Sequence, residues 1–444
     1  MASAAEQLAS NLSFASFRNA TGLKKRLWFT LGALIVYRIG SYIPVPGIDP
    51  QALQQIFSST AGGLLGLVDV FSGGSLGRMA IFALNIMPYV SASIIVQILT
   101  TVLPSWEAMK KEGEQGRKKL NQYTRYGTVV LAALQAYGIA IGMEGANNGA
   151  AVHDPGLYFR FVTIVTLVGG TMFLLWLGEQ ITARGVGNGV SLIIFSGIVA
   201  SLPGGLLQIL ELGRTGAMSA AFIIALLLGI VAVIAFCVFM ELAQRRILVQ
   251  YPKRQQGNRV YGGESSHLPL KINTAGVIPP IFASSLLLAP ATVAGFGAAQ
   301  GSEWMIWLTN NLGHGRPAYM VLFVAMIMFF CFFYTAVMFN PVETADNLKK
   351  YGGFIPGIRP GKNTADYLDY VLTRITVIGS LYLAAICALP EFLIAEAAIP
   401  FYFGGTSLLI MVSVTLDTVA QVQSHLLAHQ YEGLIKKARL KGRK

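Results

Sequence analysis

Ten stretches of this chain are long enough to cross a bilayer, or nearly so, and are almost free of charge. They lie near 28–43, 79–103, 126–143, 161–177, 188–210, 217–240, 272–298, 317–341, 375–389 and 398–416; Arg38, close to the end of the first, is the exception. Such runs leave little choice of fold. In lipid each backbone N–H and C=O must be paired within the protein, which favours helices. Composition agrees: of 444 residues, 54% are hydrophobic and 12% charged, about half the charged share of a soluble domain. The expected class is an all-α polytopic membrane protein. The first twenty residues are polar, so no cleavable signal peptide is expected there.

Basic residues set the expected orientation. With the N-terminus inside and the spans alternating, the inner segments hold 28 of the 33 Lys and Arg. Only Arg38, Arg78, Arg160, Arg214 and Arg316 fall outside. This bias predicts that both termini are cytoplasmic. The link Glu211–Gly216 divides the spans five and five. An odd number per half starts the second half from the opposite side, the arrangement of an inverted repeat.

Residues 62–103 fit this scheme poorly as a simple span. They open with a Gly-rich apolar segment too interrupted to cross, then run uncharged from Met79 to Leu103 with Pro88 inside. Non-helical backbone at membrane depth is tolerated only within protein or beside a water-filled cavity. The stretch therefore predicts an internal opening.

The chemistry of the spans is mostly negative. No charge sits at the centre of any of them, whereas an ion-coupled transporter usually places one there at a cost of about 2.5–3.5 kcal/mol or more. Glu179, Glu241, Glu343 and Asp417 all lie at span ends. Cys237, Cys331 and Cys387 lie in apolar runs and give neither a disulfide framework nor a metal spacing. Gly357–Asn363 (GIRPGKN) is one residue short of a phosphate loop and has Asn where magnesium needs Ser or Thr. Gly185–Gly189 (GVGNG) reads as a flexible start to the fifth span. His425 and His429 lack the Glu of a zinc protease and read as an exposed helical face. No catalytic residue, metal or cofactor is expected.

Two large basic loops lie in the second half, at 241–271 and 343–374. Both are rich in Gly, Pro and Tyr beyond what a connector needs. Arg246–Tyr251 and Arg259–Tyr261 are expected to pair as a hairpin around a Gln255–Gly257 turn. The exposed Arg and Lys suit RNA phosphates or an acidic protein surface.

Several long motifs carry a resemblance over essentially the whole chain. They are RIGSYIPVPGID (38–49), VFSGGSLGRMAIFALNIMPYVSASIIVQIL (70–99), KKLNQYTRYGT (118–128) and WLGEQITARGVGNGVSLIIFSGIVA (176–200). They continue with LPLKINTAGVIPPIFASS (268–285), NPVETADNLKKYGGFIPGIRPG (340–361) and PFYFGGTSLLIMVSVTLD (400–417). In these the chain resembles the SecY family, the central subunit of the bacterial protein-conducting channel. The resemblance implies ten transmembrane helices in two inverted five-helix halves around an hourglass pore, with a plug helix.

It also implies roles by position. Ile86, Val90, Val190, Ile194, Ile281 and Ile410 would form the pore ring, slightly wider than usual where valine replaces the family's common isoleucine. A narrow aliphatic neck dewets and resists ions, yet offers a passing peptide no fixed hydrogen bond. Residues 62–75 resemble the plug: Gly63, Leu64, Leu65, Gly66, Leu67, Val68, Asp69, Val70, Phe71, Gly73 and Gly74, with Gly62 among its hinges. The second and seventh spans resemble the lateral gate, with Pro88, Pro279 and Pro280 interrupting helical bonding and Ser91, Gln97 and Asn273 forming a polar seam. Arg245, Arg246, Lys253, Arg254 and Arg359 match the docking positions shared by the ribosome and the SecA motor.

The implied activity is a passive gated conduit that passes unfolded secretory polypeptide and releases membrane segments sideways into the bacterial inner membrane. Implied partners are SecE, SecG, the SecA ATPase, the ribosome with its rRNA and exit-tunnel proteins, signal sequences and nascent chains, lipid, and SecDF and YidC. The layout expected is a cytoplasmic segment at 1–27, a first half at 28–210, a second half at 217–416 and a cytoplasmic tail at 417–444. The competing readings are a secondary transporter, which needs a polar midplane site, and a membrane enzyme, which needs a clustered acid, base or nucleophile.

Overall fold

The computed structural model describes residues 21–49, 53, 69, 72–145, 152–216, 218–251, 254–256, 259–261, 265–287, 317–397 and 404–441. Its helices are α1 (Thr21–Gly40), α2 (Met87–Val102), α3 (Pro104–Lys111), α4 (Glu114–Gly145), α5 (Leu157–Arg184), α6 (Gly189–Arg214) and α7 (Ala220–Leu242). A β-hairpin region follows. Then come α8 (Ile278–Leu287), α9 (Pro317–Met338), α10 (Pro341–Lys350), α11 (Lys362–Ala397) and α12 (Gly405–Lys441).

Each of the ten apolar runs falls at least in part on one of these helices. Among the described residues, seven helices are long and apolar enough to cross a membrane: those of α4 to α7, α9, α11 and α12. The runs on α1, α2 and α8 are shorter or more polar.

Local signals start and stop the helices where capping chemistry allows. Asn188 accepts from the amides of Val190 (3.1 Å) and Ser191 (3.4 Å) at the start of α6. Asn340 does the same for Val342 and Glu343 at the start of α10. These side chains satisfy amides that have no partner within the first helical turn. Leu103 ends α2 in extended conformation and begins α3, which turns away by 100°. Pro104 at the first position of α3 suits that start.

Proline acts differently from expectation. Pro88 occupies the first turn of α2, and Pro279 and Pro280 the first turn of α8. There the missing N–H costs nothing, so these prolines open helices rather than interrupt them. The uncharged stretch 79–103 accordingly divides in two. Residues 79–86 form turns, with Met79 (φ 46°) and Asn85 (φ 49°) in the left-handed region. This irregular backbone is buried: Met79, Ala80 and Ala83 are fully enclosed and Asn85 and Ile86 nearly so. It is tied to the chain after α1 by Val45 N to Met79 O and Ile81 N to Ile43 O, each 2.9 Å.

The hairpin also differs. β1 (Gln244–Gln250) pairs antiparallel with β4 (Ser265–Lys271), and β2 (Arg254–Gln256) with β3 (Arg259–Tyr261). Gln255 and Gln256 are therefore strand residues, and the partner of Arg246 is Pro269 rather than any residue of 259–261. The alternation that would have shown this is spoiled by the basic, exposed face of β1. Ile247 and Val249 point inward from it.

The second loop is mostly helix. α10 and α11 occupy both ends of 343–374 and leave only 351–361 as a connector. α12 runs through 416/417 without a break.

One large core unites α1, α2, α5, α6, α7, α8, α9, α11 and α12. A second lies under residues 45–84 between α4 and α5. A third joins the hairpin to the 351–361 connector and α11.

Candidate pore, gate and docking sites

The six aliphatic residues proposed for a ring all belong to the large core. Ile86, Val90, Ile194 and Ile410 are buried members; Val190 and Ile281 are partly buried against it. They arrive from four helices, α2, α6, α8 and α12, and from the turn just before α2. Two close backbone contacts help bring them together. Gly189 lies against the carbonyl of Gly178 on α5, and Gly405 against that of Ile386 on α11, with no room for a Cβ at either. These contacts seat the first two turns of α6 and α12, from which Val190, Ile194 and Ile410 project.

Of the plug residues, Asp69, Gly73 and Gly74 are described; Gly63 to Val68, Val70 and Phe71 lie outside the described residues. Asp69 is held closely. Its Oδ1 accepts from Gly77 N at 2.6 Å and Ser72 Oγ at 3.4 Å, and its carbonyl accepts from Gly74 N at 2.8 Å. Burial raises its pKa above the ordinary 3.8, against the lowering effects of those bonds and of Arg78.

Around this segment the structure gathers residues that sequence reasoning used only to set topology. Arg38 Nη1 and Arg78 Nη2 each donate to the carbonyl of Gly73 at 3.1 Å. Both guanidinium groups also lie over the Tyr42 ring, at 5.4 Å and 4.2 Å. Tyr37 donates to the carbonyl of Ser72 at 3.2 Å. No sequence signal pairs residues 35 to 40 positions apart, so this node was not legible.

The expected polar seam is not formed by its three residues. Among the described residues no hydrogen bond joins Ser91, Gln97 and Asn273. Asn273 Nδ2 bonds instead to Glu241 Oε1 (2.7 Å) and Gly276 O (3.1 Å). The Gln97 side-chain oxygen is buried without a partner. The polar contact between α2 and α8 is Ser285 Oγ to Met87 Sδ at 3.9 Å, a weak pairing by the nature of the thioether. α8 also meets α9 through edge-on contacts of Phe282 with Phe330 and Tyr334, and the chain leading into α8 meets α9 through Thr274 and Thr335 at 3.2 Å.

The two basic loops converge. Gln250 and Phe354 exchange backbone hydrogen bonds, N to O, of 2.9 Å and 3.0 Å. Beneath this bridge Ile247, Val249 and Leu270 pack with Ile355, Leu368 and Val371. Arg245, Arg246 and Arg359 stand exposed on the same unit. Arg254 is placed on β2, and Lys253 lies outside the described residues.

Comparison with known proteins bears on the family and the fold. A family model described as SecY matches residues 80–419. A protein translocase subunit SecY from Rickettsia conorii is 55% identical over 428 residues, covering 96% of this chain and 99% of its own. Its Escherichia coli K12 counterpart is 54% identical over 436 residues, covering 97% and 98%. Among solved structures, one described as showing that the plug domain of SecY stabilizes the closed state of the translocation channel and maintains a membrane seal aligns with a TM-score of 0.64. It is 19% identical and covers 91% of this chain and 92% of its own. Sec61 in a canine ribosome–channel complex from the endoplasmic reticulum aligns at 0.59, with 18% identity and coverage of 91% and 92%. At those identities the structures speak for the fold, while the sequence matches, at over half identity along nearly the full length, place this chain in the SecY family.

Proposed function

We propose that this chain is the channel-forming subunit of a bacterial protein translocase. It passes unfolded polypeptide through an aliphatic constriction and releases apolar segments between α2 and α8. The observation that carries this reading is that Ile86, Val90, Val190, Ile194, Ile281 and Ile410 all lie in or against one apolar core, drawn from helices far apart in the chain. Side chains of this kind make a neck that excludes ions by dewetting and can yield to a peptide of any sequence. Residues 62–75 act as the plug, by analogy with the relative whose plug maintains a membrane seal.

The weak Met87–Ser285 contact supports α2/α8 as the parting line. α8 is fixed more firmly to α9, so α8 and α9 would move as one. The joined hairpin and connector, with Arg245, Arg246, Lys253, Arg254 and Arg359, form the docking face for the ribosome or SecA; a Sec61 relative is known in a ribosome complex. The chain sits in the inner membrane with both termini in the cytoplasm, supported by the charge bias, and works with SecE and SecG. Energy for transport comes from SecA or the ribosome.

Cysteine placed at Ile86 or Ile194 should cross-link to a translocating chain stalled in the channel. Continued translocation without cross-links would overturn the pore assignment.

A further inference from the structure

The node around Gly73 has a geometry that topology alone does not explain. Two guanidinium groups converge on one carbonyl, each at 3.1 Å. Like charges so close repel, and among the described residues neither arginine has a carboxylate within ion-pair distance. Their compensation comes from two acceptors of a different kind. One is the Gly73 carbonyl. The other is the Tyr42 ring, whose face attracts cations, and Arg38 Nη2 also donates to the Tyr42 hydroxyl at 3.2 Å. Arg78 adds a bond to the carbonyl of Ser41 at 3.4 Å.

The carbonyl they hold is confined from the other side. Gly73 has φ 66°, and a Cβ there would lie 2.9 Å from the Cα of Gly197 on α6. Tyr37, fully buried in α1, holds the neighbouring carbonyl of Ser72. Residues 72–78 are thus tied to α1 and the turn after it through Tyr37, Arg38, Tyr42 and Arg78, and lie against Gly197 of α6, with Asp69 hydrogen-bonded to the same block.

We infer that Arg38 and Arg78, braced on Tyr42, are positioning residues that anchor residues 72–78, the downstream root of the plug, to the end of α1. This rests on the plug reading given above. Loss of both guanidinium groups frees the Gly73 carbonyl and loosens the root's hold on α1, which weakens the seal without touching the pore ring or the docking face.

The test uses the full channel with its partner subunits. Arg38→Gln, Arg78→Gln and the double variant are compared with the parent and with a deletion of residues 63–71. Hydrogen exchange of amides 72–78 should speed by at least about tenfold in the double variant, since even one lost hydrogen bond to a charged group is worth that much, while α5 amides stay unchanged. Resting ion conductance should rise in the double variant and should not rise further when the deletion is already present. Arg38→Lys, which keeps the charge, should recover part of the protection. Unchanged exchange at 72–78 overturns the anchor whatever the conductance does. A conductance rise that adds in full to that of the deletion also overturns it. An unchanged conductance on deletion, with faster exchange in the arginine variants, instead refutes the plug reading and leaves the anchor standing.

Discussion

Asn273 donates through Nδ2 to the carboxylate of Glu241 at 2.7 Å and so ties the chain that leads into α8 to the end of α7. Beside it, Ile272 N bonds to Ala243 O at 3.0 Å. The foot of the hairpin and the approach to the proposed gate are therefore one hydrogen-bonded unit. Removing the amide leaves a partly enclosed carboxylate without this donor. Asn273→Ala should destabilise the protein by about 1–3 kcal/mol, read as a lower thermal midpoint. Asn273→Asp should cost more, because it sets a second carboxylate beside the first. Equal midpoints for the two variants would show that charge plays no part.

The carboxyl of Asp69 gives a pH dependence with a defined sign. Burial raises its pKa above 3.8, so the folded root favours the protonated form. The stabilisation is complete below 3.8 and is lost as pH climbs through the raised value. Protection of amides 72–78 from exchange, corrected for the intrinsic rate, should fall across that window in the parent. In Asp69→Asn it should stay flat. Identical profiles would remove Asp69 as the titrating group.

Ile355 is buried between the connector and the hairpin. Ile355→Ala should cost this unit about 2–5 kcal/mol through lost burial and the cavity left behind. The expected sign is faster proteolysis within 244–271, a segment distant in sequence. Unaltered cleavage there would mean that the two loops are energetically independent.

Arg359 is exposed, and its carbonyl accepts from Thr364 Oγ1 at 2.9 Å. The side chain itself carries no structural bond among the described residues. Arg359→Glu should leave the stability within about 0.5 kcal/mol of parent, as for most surface changes, and should sharply reduce SecA-driven transport of a secretory protein. Normal transport by this variant would refute its docking role.

Much of the architecture was legible because lipid imposes it. Uncharged runs such as 217–240 have only one stable form at membrane depth, and α7 falls on that run. The irregular backbone at 79–86 was foreshadowed by its Gly-rich neighbour, although the prolines serve as helix starts. Pairings were harder to see. The hairpin register depends on Ile247 and Val249 facing α11, a contact more than a hundred residues away in the chain. The Arg38–Arg78–Tyr42 node is invisible for the same reason: charges placed by topology look alike whether or not they hold a carbonyl. Ser91, Gln97 and Asn273 were chosen for polarity within the right helices, and polarity does not say which way a side chain faces.

The bridge between Gln250 and Phe354 also sets an order of events during synthesis. At roughly 5–20 residues per second, Phe354 leaves the ribosome some seconds after Gln250. In that interval Ile247, Val249 and Leu270 lack the cover that Ile355, Leu368 and Val371 later supply. The hairpin is thus an unfinished surface until α9, α10 and the start of α11 have been made, and the proposed docking face is completed only then.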